Sequence, residues 1–132
     1  MSAEGAAEIA ASFAAKARTD YEVLKRLITA GPELEDAIGF HGQQAIEKAI
    51  KAVMVARSVR IIRTHKLRRL VDICGSAGIN VPATQTDLDA LSAYAVEWRY
   101  LERNMPKTPL DREELTADVE TILAWAAREI SA

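Results

Sequence analysis

Cysteine, histidine and aromatic residues are scarce in this chain of 132 residues, which has one Cys, two His and only 5% Phe, Trp and Tyr. A lone Cys74 cannot close an intramolecular disulfide, so a disulfide-stapled scaffold is excluded and a reducing compartment is expected. Six glycines and four prolines are too few for a collagen-like or low-complexity chain. No uninterrupted apolar stretch approaches the ~20 residues a membrane helix needs. The N-terminal stretch is rich in alanine but carries Glu4 and Glu8 in place of basic residues, unlike a secretory or organellar signal. These absences predict a cytoplasmic protein with no membrane association. What is plentiful is alanine, 24 residues within an apolar content of 49%. Small side chains suit helices that pack closely, and the length suits one domain, residues 1–132, around one core.

Acidic residues are missing between Glu47 and Asp72, where Lys48, Lys51, Arg57, Arg60, Arg63, Lys66, Arg68 and Arg69 supply eight positive charges. Elsewhere the nine remaining basic residues meet nineteen acidic ones, so a formal net charge of −2 hides a split of +8 and −10. Such a split marks either a surface for a phosphate-bearing or acidic partner, or basic residues that neutralise neighbouring acidic helices.

The apolar residues recur with helical period. Ile9, Phe13, Ala17, Tyr21, Leu24 and Ile28 define a first helix that Gly31 and Pro32 end. A second helix is predicted over residues 32–57, with an apolar arc of roughly 160° at ~100° per residue. Its small stripe of Gly42, Ala45, Ala49, Ala52 and Ala56 allows close approach of another helix, at the centre of a bundle or in a subunit interface. Thr64 reads as the N-cap of a short helix carrying Leu67, Leu70, Val71 and Cys74, which Gly75 and Gly78 end. Residues 75–85 are uncharged and read as a loop. Thr86 and Asp89 resemble a capping box opening a helix with Leu88, Leu91, Ala95 and Trp98 on one face. After a break at Asn104, Pro106 and Pro109, Asp111 and Glu114 open a last helix with Leu115, Val119, Ile122, Ala126 and Ile130 along its seam. No segment alternates with period two. The expected fold is all-α, an up-and-down four-helix bundle with an additional short helix.

On the second helix His41, Gln44, Lys48 and Lys51 fall within about 80° of one another at ~100° per residue. They form either an ordinary solvated face or a row of donors suited to phosphate and base edges. The arginine-rich loop beyond leads to the expected helix start at Thr64 and His65, where unpaired backbone N–H groups, reinforced by Arg63, His65, Lys66 and Arg69, favour an anion. Two histidines 24 residues apart with one cysteine do not make a zinc site. Ser12, Ser58, Ser76 and Ser92 occupy no nucleophile elbow, and no glycine-rich phosphate loop precedes a helix. Neither a metal nor a cofactor is expected.

Residues 40–54 read FHGQQAIEKAIKAVM, which closely resembles the second helix of HEPN domains, typically FHAQQAAEKALKAL. The resemblance continues through Arg63-Thr64-His65-Lys66-Leu67, like that family's RTHDL, through Gly78-Ile79-Asn80-Val81-Pro82, and through residues 94–100, YAVEWRY, like its YAVEARY. It implies a four-helix bundle that commonly forms a homodimer and frequently pairs with a minimal nucleotidyltransferase, often as toxin and antitoxin. Many members are metal-independent ribonucleases whose signature is an arginine and a histidine four to six residues apart near the start of a late helix. In this chain Arg99 is followed by Tyr100, Leu101, Glu102, Arg103, Asn104 and Met105, with no histidine. An arginine and a histidine at that spacing do occur at Arg60 and His65, but in the loop before the third helix. Acid–base cleavage needs a group that titrates near neutral pH, which leaves His41 and His65.

Two functions follow as expectations. The first is a non-catalytic homodimeric module whose groove, lined by His41, Gln44, Lys48, Lys51, Arg63, His65, Tyr94 and Arg99, binds a nucleotide, RNA, or a nucleotidyltransferase and its substrate. The second is an endoribonuclease using Arg60 and His65, or His41, across the dimer. A purely structural interaction protein is a third. Gly42, Ala45, Ala49 and Trp98 are the candidate contacts between subunits.

Overall fold

The structure, a computed structural model, describes residues 2–95 and 109–132. In chain order it contains α1 (Ala3–Leu27), a 3-10 turn (Pro32–Leu34), α2 (Glu35–Ala56), α3 (Leu67–Ser76), α4 (Leu88–Ser92) and α5 (Arg112–Ser131). It is all-helical, with no strand among the described residues, as the periodicity predicts. None of the described helices is long and apolar enough to cross a membrane.

Helix starts are set by short polar side chains. Ser2 Oγ accepts from Gly5 N at the head of α1, and Asp111 Oδ1 accepts from Glu114 N at the head of α5. Three starts differ from the sequence reading. Pro32 opens a 3-10 turn before α2. Thr64 Oγ1 accepts from Lys66 N two residues on, a local turn that delays α3 to Leu67. The cap of α4 is Asp87, which accepts from Asp89 N, while Thr86 gives its own N–H to Asp118. The stretch containing Trp98 lies outside the described residues.

Two helix ends share one hydrogen-bond pattern. At the end of α3, Gly78 (φ 79) lets Ile79 N reach Cys74 O and Gly78 N reach Gly75 O. At the end of α2 the same pair of bonds runs from Val59 N to Met54 O and from Ser58 N to Val55 O, with Ser58 at φ 58 where glycine is the usual occupant.

The centre of the bundle is α2, buried along nearly its whole length from Ile38 to Val55. It packs on α1 and α5, with α3 and α4 beside it. Its glycines explain how closely: a Cβ on Gly42 would lie 2.7 Å from Leu115 of α5, and one on Gly39 would lie 2.3 Å from the Tyr94 ring. The small residues Gly42, Ala45 and Ala49 are therefore consumed inside the chain and are not available as contacts between subunits. The predicted seam of α5 is found as expected, with Leu115, Val119, Ile122 and Ala126 buried and Ile130 packed against the core.

Two polar clamps close the corners. The Arg112 guanidinium at the start of α5 donates to the carbonyls of Ile28, Ala30 and Gly31 in the turn that follows α1, and pairs with Glu35. Buried Asp118 accepts from the backbone N–H groups of Gln85 and Thr86, fixing the loop before α4. Ser92 Oγ accepts from Leu67 N and donates to Leu88 O, joining α4 to the start of α3.

Replacing Ser58 by glycine relieves the left-handed conformation and should stabilise the fold by about 0.5–1 kcal/mol, whereas Gly78→Ala should destabilise it by about 1 kcal/mol. Urea-denaturation midpoints at constant m-value read both effects.

Candidate functional site

Between Ile38 and Val55 the residues of α2 that reach solvent are Phe40, His41, Gln44, Lys48 and Lys51. Four of these five are the polar stripe predicted from the sequence. Along one edge runs α1, which contributes Asp20; along the other runs the segment between α2 and α3, which contributes His65.

Two buried carboxylates organise the strip. Asp20, 7% exposed, accepts from His41 Nδ1 at 2.9 Å through Oδ1 and from Lys48 Nζ at 2.8 Å through Oδ2. Glu47, 4% exposed, accepts from His65 Nδ1 at 2.8 Å and Gln43 Nε2 at 2.8 Å through Oε1, and from Lys51 Nζ at 3.0 Å through Oε2. Gln43 Nε2 also donates to the His65 carbonyl, and its Oε1 accepts from Gln44 Nε2. Each carboxylate thus holds one histidine and one lysine.

A carboxylate oxygen is an acceptor, so the proton of each hydrogen bond belongs to the imidazole Nδ1. A neutral ring so held carries its lone pair on Nε2, and at His41 that second nitrogen is the one that can meet a ligand. The two carboxylates also cancel the charges of Lys48 and Lys51. The strip is consequently a set of positioned donors and acceptors of nearly balanced charge, and not the free cationic row that the sequence pattern suggests.

The other expected residues are dispersed. Arg63 is exposed and makes no ion pair among the described residues. Arg60 borders Ala6, Ile9 and Val55 at the far end of α2. His65 instead contacts Glu47, which lies eight residues before Val55, about 12 Å along the helix axis at ~1.5 Å per residue. Tyr94 is 2% exposed and packs on Gly39 in the core, away from the strip; burial first, then the carboxylates of Glu35 and Asp36, push its phenol up to about 12. Arg99 lies outside the described residues. At the proposed anion corner the first N–H of α3, that of Leu67, is already bound to Ser92. No cluster of three or more metal-ligating side chains occurs among the described residues.

Asp20, Gln43 and Glu47 were not anticipated, yet their positions carried a signal. Asp20 lies three residues after buried Ala17 and four before buried Leu24, on the inward face of α1. Glu47 lies midway between Gln43 and Lys51 at four-residue steps. An ionised side chain on an apolar helix face requires a partner from another element.

The central stretch of α2 with its FHGQQAIEK sequence is part of a longer correspondence, since the HEPN domain family matches residues 10–130. The chain belongs to the HEPN family. Neither a curated protein nor a solved structure matches it. HEPN domains are in general associated with nucleotides and RNA, and the match covers every residue of the strip.

Removing the second carboxylate, Glu47→Ala, takes away the buried acceptor shared by Lys51, Gln43 and His65. It should cost about 2–4 kcal/mol in urea denaturation, against less than ~0.5 kcal/mol for exposed Glu113→Ala. Tyr94 supplies a pH signature. Its phenol is raised above the ordinary tyrosine value of 10.0 to about 12, so the stability it contributes is complete below pH 10 and is lost as pH rises towards 12. Tyr94→Phe should flatten that alkaline loss in denaturation curves recorded across the range.

Proposed function

We propose that this HEPN protein is a non-catalytic binding module for a nucleotide or RNA, acting as a homodimer and partnered with a minimal nucleotidyltransferase in a toxin–antitoxin-like pair. The observation that carries the reading is the strip itself. His41, Gln44, Lys48, Lys51 and His65 are gathered on the solvent-reaching side of α2, the histidines and lysines held from behind by Asp20 and Glu47 and Gln44 by Gln43. Side chains fixed in this way lose little freedom on meeting a ligand, which favours selective hydrogen bonding to bases, ribose or phosphate. Family membership supports the nucleotide or RNA class of ligand. A late-helix sequence without histidine supports binding over cleavage. Homodimerisation and the nucleotidyltransferase partner rest on the resemblance of the HEPN blocks.

A second reading has one observation in its favour. A histidine whose Nδ1 is held by a buried carboxylate is oriented as a general base or acid, and both histidines here are so held. That arrangement would suit metal-independent ribonuclease chemistry if a phosphodiester reached Nε2 of His41 or His65.

Incubating the protein with single-stranded RNA and a chelator separates the two. The binding reading predicts intact RNA, an affinity that falls as salt rises from ~50 to ~200 mM, and about tenfold weaker binding by Gln44→Glu, which adds a negative charge without touching either buried carboxylate. Cleavage abolished by His41→Ala or His65→Ala would overturn it in favour of the ribonuclease.

A further inference from the structure

A second surface lies at the end of α2 opposite His41. Ala6, Ile9, Val55, Ser58, Val59, Arg60 and Ile61 enclose a groove of about 550 Å³ between the first turns of α1 and the segment leaving α2. Its floor and walls are aliphatic. Ile9 is 38% exposed, one of two large hydrophobic side chains left in solvent among the described residues. The shape is set by the tight exit of α2, where Ser58 holds a left-handed conformation so that Val59 turns back onto the helix end.

The rim is positively charged and unbalanced. Arg60, the arginine in the lining, is exposed and has no acidic partner among the described residues, while nearby Arg57 is engaged by Glu129. The acidic residues of the neighbouring helix do not compensate, because Glu4 and Glu8 lie roughly 130–170° around α1 from the midpoint of Ala6 and Ile9 at ~100° per residue. An aliphatic trough beside the free Arg60 guanidinium is complementary to aliphatic side chains beside a carboxylate. The volume falls in the ~300–1,000 Å³ range of ligand pockets, enough for the anchoring side chains of a helix laid in a groove. RNA is the poorer fit. Nucleic-acid surfaces are polar and heavily cationic, and single-stranded bases stack on aromatic rings, whereas the lining is mainly aliphatic and contains no aromatic residue.

We infer that this groove docks an acidic amphipathic helix of a partner protein, with aliphatic anchors against Ile9, Val59 and Ile61 and a carboxylate against Arg60. The inference goes beyond the nucleotide reading and does not depend on it, since the groove and the His41 strip share no residue. Short synthetic helices provide the probe: one with leucines at i, i+3, i+4 and i+7 on a glutamate background, and one with the same leucines on a lysine background. The glutamate helix should bind, shift the NMR methyl signals of Ile9 and Ile61, and bind about tenfold or more weakly to Arg60→Glu and to Ile9→Lys. Both positions are exposed and the variants should keep the wild-type fold by circular dichroism. Gln44→Glu, which weakens nucleotide or RNA binding if the strip reading is right, should leave this affinity unchanged, so failure of one reading is distinguishable from failure of the other. Equal binding of the lysine helix, no effect of Ile9→Lys, displacement of the peptide by an oligoribonucleotide, or a dimer dissociated by Ile9→Lys would overturn the inference.

Discussion

Asp20 and Glu47 carry negative charge into the apolar packing around α2, and the geometry of the strip follows from how that charge is met. An isolated carboxylate in such a place costs several kcal/mol. Here each is offset by a lysine and by an imidazole N–H, and Glu47 also by an amide. These bonds join elements that apolar contact alone would leave free to slide. Asp20 fixes α1 to α2 at two points a helical turn or more apart, and Glu47 ties the segment before α3 to the middle of α2. Helix packing by small residues supplies close contact without register, and the charged contacts supply the register.

The same bonds determine what the strip can do. Lysines held by carboxylates lose much of their long-range attraction for phosphate, so the strip depends on short-range hydrogen bonding, and net attraction for an anion falls to the arginines. Those arginines are distributed unevenly. Arg57, Arg68 and Arg112 are used within the fold, whereas Arg60, Arg63 and Arg69 are exposed and unpaired among the described residues. The +8 stretch therefore combines two roles that the sequence leaves as alternatives. Part of it neutralises buried acid, and part projects free charge from the segment between α2 and α3.

The helical pattern was legible because α-helical periodicity depends on spacing alone. The seam of α5, the buried centre of α2 and the breaks at Gly31, Pro32 and Gly78 could be read directly. The solvent-reaching side of α2 was legible for the same reason. Less legible were features that depend on contacts between distant residues. Tyr94 reads as a polar aromatic ligand until Gly39 is placed against its ring, and Lys48 and Lys51 read as free donors until Asp20 and Glu47 are placed beside them. Gly42 and Ala49 predict close approach but not the identity of the neighbour, which proves to be α5 of the same chain. Thr64 and Thr86 failed as caps because a nearby turn and a nearby Asp87 compete for the same role.

The central claim is that buried carboxylates hold both histidines by Nδ1, Asp20 for His41 and Glu47 for His65. Long-range nitrogen–proton correlation spectra of the imidazole rings test it most directly. With the rings neutral, the account predicts a proton on Nδ1 and none on Nε2 for both His41 and His65, with His41 losing that preference in Asp20→Ala and His65 losing it in Glu47→Ala. A proton on Nε2 with a bare Nδ1 in the wild-type protein, at either ring, would contradict it.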